Sequence, residues 1–352
     1  MENFDNRYNR YKSIPAHNGN IVSIALSPNE TFFVTGSWDK TAKTWSFPEG
    51  NLLKTLEGHT AYVMAVAINP GNSLIATGGS DSIICLWDYP TGEKLFEWDS
   101  HVTVANGIQF TPSGTKLFSQ SRGGEIMVID FFNETIYREI IHKWLIEQAI
   151  LTFDERLLIT ASRDKTIKVS DFGTLEILET LTQHRDEVKC IALNKSEKYL
   201  ASGSADGIIH IYDTTNWNLH TTIELNKKGF VSKYFWRTGV VQLVFDNFNR
   251  LICGGNNGEI SVFDIHTGSL IIKVQAHPSL SLDILRLIPD TDLIASAGQD
   301  KVIKIWNLHD LPLIQSLPGH TDAINQVVFD QRGKYMITAS KDKTIGIWRK
   351  EI

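Results

Sequence analysis

The chain has 352 residues, of which 42% are apolar and 21% charged, and its net charge is −6. This is the composition of an ordinary folded protein, and the negative balance argues against nucleic acid as a partner on bulk electrostatics. No apolar run approaches membrane-spanning length and Met1–Arg10 does not read as a signal peptide. Cys85, Cys190 and Cys253 sit among apolar strand residues and read as buried free thiols in a reducing compartment.

In chain order, the first elements are short strands. Asn20–Ser27 alternates, a Ser-Pro-Asn-Glu turn follows, Phe32–Gly36 alternates, a tight turn leads to Thr41–Trp45, and Asn51–Glu57 runs into Gly58-His59. The pattern then repeats. His17 precedes Thr35, Asp39 and Trp45; His59 precedes Thr77, Asp81 and Trp87; His277 precedes Ser296, Asp300 and Trp306; His320 precedes Thr338, Asp342 and Trp348. Trp45 to Trp87 and Trp306 to Trp348 are both steps of 42 residues. Four weaker units fill the middle of the chain. They end at Ile129-Asp130, Ser170-Asp171, Tyr212-Asp213 and Phe263-Asp264, and the first three are led by His101, His142 and His184. Eight units with four strands each, and no stretch of helical periodicity, predict an all-β, eight-bladed β-propeller.

The signatures Gly58-His59, Trp87-Asp88 and Gly319-His320 resemble those of the WD-repeat β-propeller family, over essentially residues 10 to 349. The resemblance implies one ring with units at about 17–50, 51–92, 93–134, 135–174, 175–218, 219–268, 269–311 and 312–352. It also implies that the last blade lacks an outer strand of its own. Tyr11-Lys-Ser-Ile-Pro-Ala-His17 reads like Leu53-Lys-Thr-Leu-Glu-Gly-His59, so residues 10–16 are expected to supply that strand, with 10–15 pairing to Thr344–Trp348.

His, Ser or Thr, and Asp together imitate a hydrolase triad. Here the trio recurs in four units, each time with a Trp, and a ring does not need four active sites. The resemblance implies that indole, hydroxyl, imidazole and carboxylate form a structural chain of hydrogen bonds in each of those units. No nucleophile elbow or phosphate loop is present, so no enzyme, cofactor or metal is expected. The intact sets stand in units 7, 8, 1 and 2. Units 3 to 6 have drifted: Gly123 and Ile129 replace the Asp and Trp of unit 3, and Ser170, Tyr212 and Phe263 replace the Trp of units 4, 5 and 6.

By the resemblance, the loops that join outer to inner strands share a partner-binding face with the tight turns. Trp38, Arg122, Arg163 and Lys341 are expected to point out of it, and Tyr62, Met64, Asn106, Glu147, Lys189 and Asn325 to line the channel mouth. One insertion, Asn226–Gly239, adds Lys233, Tyr234, Trp236 and Arg237 near the drifted blades, either as a lid or as a docking surface. The expected function is a non-catalytic interaction scaffold or adaptor subunit. Its expected partners are other proteins, through an acidic, extended or phosphorylated segment near blades 3–6. A substrate receptor in a modifying complex such as a ubiquitin ligase is the alternative, and an enzyme or RNA-binding propeller ranks below both. Nothing signals membrane insertion or a homo-oligomer. The location expected is cytoplasmic rather than secreted, with the nucleus left open.

Overall fold

The computed structural model describes residues 7–131, 133–225, 239–278 and 280–351. These form eight four-stranded sheets, and consecutive strands pair within each sheet in all but the last. Blade 1, for example, runs outward from the axis through Ile21–Leu26, Phe32–Ser37, Ala42–Ser46 and Leu52–Leu56. Burial follows that path. Phe32–Ser37 is buried at every position because it packs against a neighbouring blade on both faces, whereas Leu52–Leu56 at the rim is exposed except for Leu56. Among the described residues no helix is long and apolar enough to cross a membrane.

The tight turn between the second and third strands puts the same position in the left-handed region in every blade. Lys40, Ser82, Lys165, Lys301 and Lys343 have φ of 66–74°, and Gly124, Gly207 and Gly258 occupy the equivalent place. A side chain there costs about 1–2 kcal/mol. The turn Asp opposes that cost: Asp39 Oδ1 accepts the Thr41 amide at 3.1 Å and Asp342 Oδ1 the Thr344 amide at 2.9 Å.

The apolar interior is divided into eight buried clusters, each shared by two neighbouring blades. No blade therefore buries its own faces alone, and stability depends on the ring being complete. Polar side chains of the inner strands bridge the same seams. The Ile24 amide donates to Gln326 Oε1 at 2.7 Å, Val66 to Ser23 Oγ at 3.2 Å and Ile191 to Gln148 Oε1 at 3.0 Å. All three cysteines are buried and free, and burial pushes the Cys85 and Cys253 thiols up to about 12.

Closure follows the expected route and extends past it. Tyr8–Pro15 pairs antiparallel with Thr344–Lys350, from Tyr8 opposite Lys350 to Pro15 opposite Thr344. The pairing starts two residues earlier than the repeat predicts, because Tyr8 is anchored. Its ring is fully buried, its hydroxyl donates to Gly333 O, and Gln315 holds both its backbone amide and its carbonyl, at 2.7 and 2.8 Å.

Candidate partner-binding face

In the four intact blades every polar atom of the buried chain has a partner. Trp87 Nε1 donates to Thr77 Oγ1 at 2.9 Å, Thr77 lies 2.8 Å from His59 Nε2, and His59 Nδ1 lies 3.0 Å from Asp81. Blades 1, 7 and 8 repeat this through Trp45–Thr35–His17–Asp39, Trp306–Ser296–His277–Asp300 and Trp348–Thr338–His320–Asp342. Indole is donor only and carboxylate acceptor only, so the indole donates to the hydroxyl and the carboxylate accepts from the imidazole, with the hydroxyl–imidazole contact between them. Burial opposes the Asp342 charge, but hydrogen bonds from Thr344 and the Thr321 amide outweigh it and hold the carboxyl below its usual range. The Thr35, Thr77, Ser296 and Thr338 hydroxyls are wholly buried, so the triad-like geometry gives no substrate access to a nucleophile.

The drifted blades fail in different ways. Blade 3 keeps its imidazole contact by a substitution the repeat hides. Glu125, two residues beyond Gly123, places Oε2 2.9 Å from His101 Nδ1. Blade 4 retains His142, Thr160 and Asp164, but Ser170 puts no donor where the indole stands elsewhere, and its hydroxyl is buried without a partner. In blade 5, His184 reaches Ser202 at 2.7 Å, but its Nδ1 is buried and unpartnered, and the His210 ring lies 4.5 Å away. The unit therefore does not assemble the His–Asp pair that Asp206 suggests in sequence.

Burial, with the His210 imidazole second, pushes His184 down to about 3. The unfolded chain binds this proton near pH 6.5, so between about 6.5 and 3 it holds more protons than the folded state. Stability is therefore complete above that window and falls as pH falls through it. His184→Gln keeps a partner for Ser202 without a titrating ring. Urea midpoints at pH 7.5 and 5.0 should differ less for this variant than for the wild type; equal differences would remove His184 from the acid sensitivity.

On the surface, Trp38 stacks on Tyr62 with centroids 5.1 Å apart and planes 14° from parallel, and the two rings stay 40% and 45% exposed. Gly19 makes this possible: a Cβ there would lie 2.5 Å from the Asp39 amide nitrogen. Lys341 is exposed, and its charge falls on Asp283, whose carboxyl is raised by burial. Arg163 and Lys189 do not offer free charge outward as the sequence suggests. Both turn onto Glu147, at 2.7 and 2.9 Å, and Lys189 also reaches Glu187 at 2.6 Å. This places a carboxylate cluster and its counter-charges at the channel mouth, with little net field. Lys233, Tyr234, Trp236 and Arg237 lie outside the described residues.

Arg122 differs from these cations. It is exposed and has no ion pair among the described residues. It lines a depression of about 570 Å³ between blades 3 and 4, together with Asn106, Lys143, Trp144, Leu145, Glu147 and Arg163. Trp144 is 63% exposed and was not among the expected site residues. It lies two positions after His142, where other blades carry Gly19, Ala61, Thr103, Asp186 and Asp322, so that column was the available signal. Among the described residues no cluster of three or more His, Cys, Asp or Glu could hold a metal ion.

Comparison with known proteins places these features on a familiar frame. The family model described as WD domain, G-beta repeat, matches residues 8–46 and 50–88, and that described as Nucleolar protein 10-like, N-terminal domain, matches 154–348, just over half of the chain. Pre-mRNA-processing factor 19 of Mus musculus is 26% identical over 177 residues, covering 50% of this chain and 33% of that protein. Protein transport protein sec13 of Aspergillus oryzae is 27% identical over 232 residues, covering 57% of this chain and 79% of that protein. The crystal structure of the computationally designed Ika8 protein superposes with a TM-score of 0.81 at 23% identity, covering 97% of this chain and 99% of that one, a likeness of fold alone.

Proposed function

The chain belongs to the WD-repeat β-propeller family, and on that premise we propose that it is a non-catalytic scaffold or adaptor subunit that docks other proteins on the face carrying its tight turns. The observation that carries this reading is the set of large exposed rings on that face, Trp38, Tyr62 and Trp144, the last beside the unpaired Arg122. Tryptophan, tyrosine and arginine dominate binding hot spots, because each buries much area and still offers a polar contact. The names of the relatives, pre-mRNA processing in one and protein transport in another, share no reaction. The common element is the ring, so we assign specificity to what decorates it.

The test is quantitative mass spectrometry of proteins co-purifying from native cells with three forms of the chain: wild type, Trp38→Ala with Tyr62→Ala, and Arg122→Glu with Trp144→Ala. At least one variant should lose a recovered partner by about tenfold, the effect of removing about 1.4 kcal/mol, with an unchanged melting temperature. Full recovery by both folded variants would reject this face.

A further inference from the structure

The depression between blades 3 and 4 carries groups with unmet needs, and together they describe a ligand. Arg122 is a cation with no counter-charge among the described residues. Asn106 donates its Nδ2 to Ile146 O at 3.0 Å, while its Oδ1 is buried with no hydrogen-bond partner. Trp144 adds an exposed aromatic wall.

The turn beside Arg122 also departs from its counterparts. In four blades the turn Asp accepts the amide that follows the histidine: Asn18 to Asp39 at 2.9 Å, Thr60 to Asp81 at 2.8 Å, Lys143 to Asp164 at 3.0 Å and Thr321 to Asp342 at 2.8 Å. In blade 3 the residue after Arg122 is Gly123, and Glu125 serves the His101 ring from within the third strand. The turn beside Arg122 therefore lacks the carboxylate that its counterparts supply.

We propose that this depression binds the side chain of an Asp or Glu in an extended segment of a partner protein. The carboxylate pairs with Arg122, and a neighbouring apolar residue packs on Trp144. Lys143 and Arg163 line the same depression against the single carboxylate of Glu147, so its lining is net positive and complements an acidic side chain. The inference rests on the reading of this face as a docking surface and names what one part of it takes.

The probe is a phage-displayed library of random dodecapeptides selected on the intact chain. Recovered sequences should be enriched in Asp or Glu with an apolar neighbour. Their affinity should fall about tenfold or more, the scale of a lost hot-spot contact, on Arg122→Glu, on Trp144→Ala, and on Asp→Asn or Glu→Gln in the peptide. Gly123→Asp should also weaken binding, by setting a carboxylate of the chain beside Arg122. Its Cβ would meet the Thr103 side chain at 3.1 Å and Ser121 Oγ at 3.7 Å, both side-chain atoms. Melting temperatures of all variants serve as the control for folding. Failure to enrich acidic peptides, binding indifferent to Arg122→Glu, or tighter binding when phosphoserine replaces the acidic residue would each overturn the proposal. If native partners are still lost on Trp38→Ala with Tyr62→Ala, the scaffold reading stands without it.

Discussion

Deletion of residues 1–16 should convert a closed ring into an open, aggregating one. The strand Tyr8–Pro15 supplies the rim of the eighth blade, and Tyr8, Ile14 and Ala16 are all buried. Burying a large apolar side chain is worth about 1.5–3 kcal/mol, and each hydrogen bond lost adds about 0.5–1.5 kcal/mol. Tyr8, Ile14, the pair of Gln315 bonds and the strand ladder together therefore approach the roughly 5–15 kcal/mol by which a folded domain exceeds its unfolded state. The loss is also qualitative. Ile345 and Ile347, wholly buried in the intact protein, would lie on an uncovered edge strand, which is a template for pairing between copies. Thermal unfolding followed by light scattering at several protein concentrations should show an early, concentration-dependent transition, and a peptide of residues 7–16 added in trans should delay it. A soluble monomeric truncation with an unchanged melting temperature would show that closure contributes little.

The architecture was readable because a scaffold repeats and a repeat is visible in one sequence. Histidine, hydroxyl, Asp and Trp recur at fixed spacing because each blade must solve the same problem, an indole N–H buried between strands. Even the substitution of the first strand for a missing last one could be read, since Tyr11–His17 copies Leu53–His59. The surface is different, because a binding residue is one that does not repeat. Trp144 stands out only against its column of small or polar residues. The ion pairs of blades 4 and 5 are hidden in the sequence for another reason. Arg163 and Glu147, 16 residues apart, meet across the first hairpin of blade 4, and Lys189 and Glu147, 42 apart, meet because inner strands of neighbouring blades lie side by side. Glu125 escaped notice because it serves His101 from a strand position rather than from the turn.

The drifted blades also supply an internal control for the hydrogen-bonded chain, through the same substitution made in two places. Thr77 is a hub: it accepts from Trp87 Nε1 and lies 2.8 Å from His59 Nε2. Thr160 makes the matching contact with His142 Nε2 at 2.8 Å, but blade 4 has Ser170 where the indole would be. Both hydroxyls are wholly buried, so valine replaces threonine at nearly constant volume in equally dry surroundings. Thr77→Val strands two buried polar atoms and Thr160→Val strands one. At about 1–3 kcal/mol for each unsatisfied group, the expected losses are about 2–6 and about 1–3 kcal/mol. The difference between the variants isolates the indole bond better than Trp87→Phe would, because removing the larger ring also leaves a cavity. Urea unfolding of both variants, with unchanged slopes, reads it directly. Equal losses would mean that the indole finds another partner or needs none, and that the Trp closing each intact unit is retained for its apolar area alone.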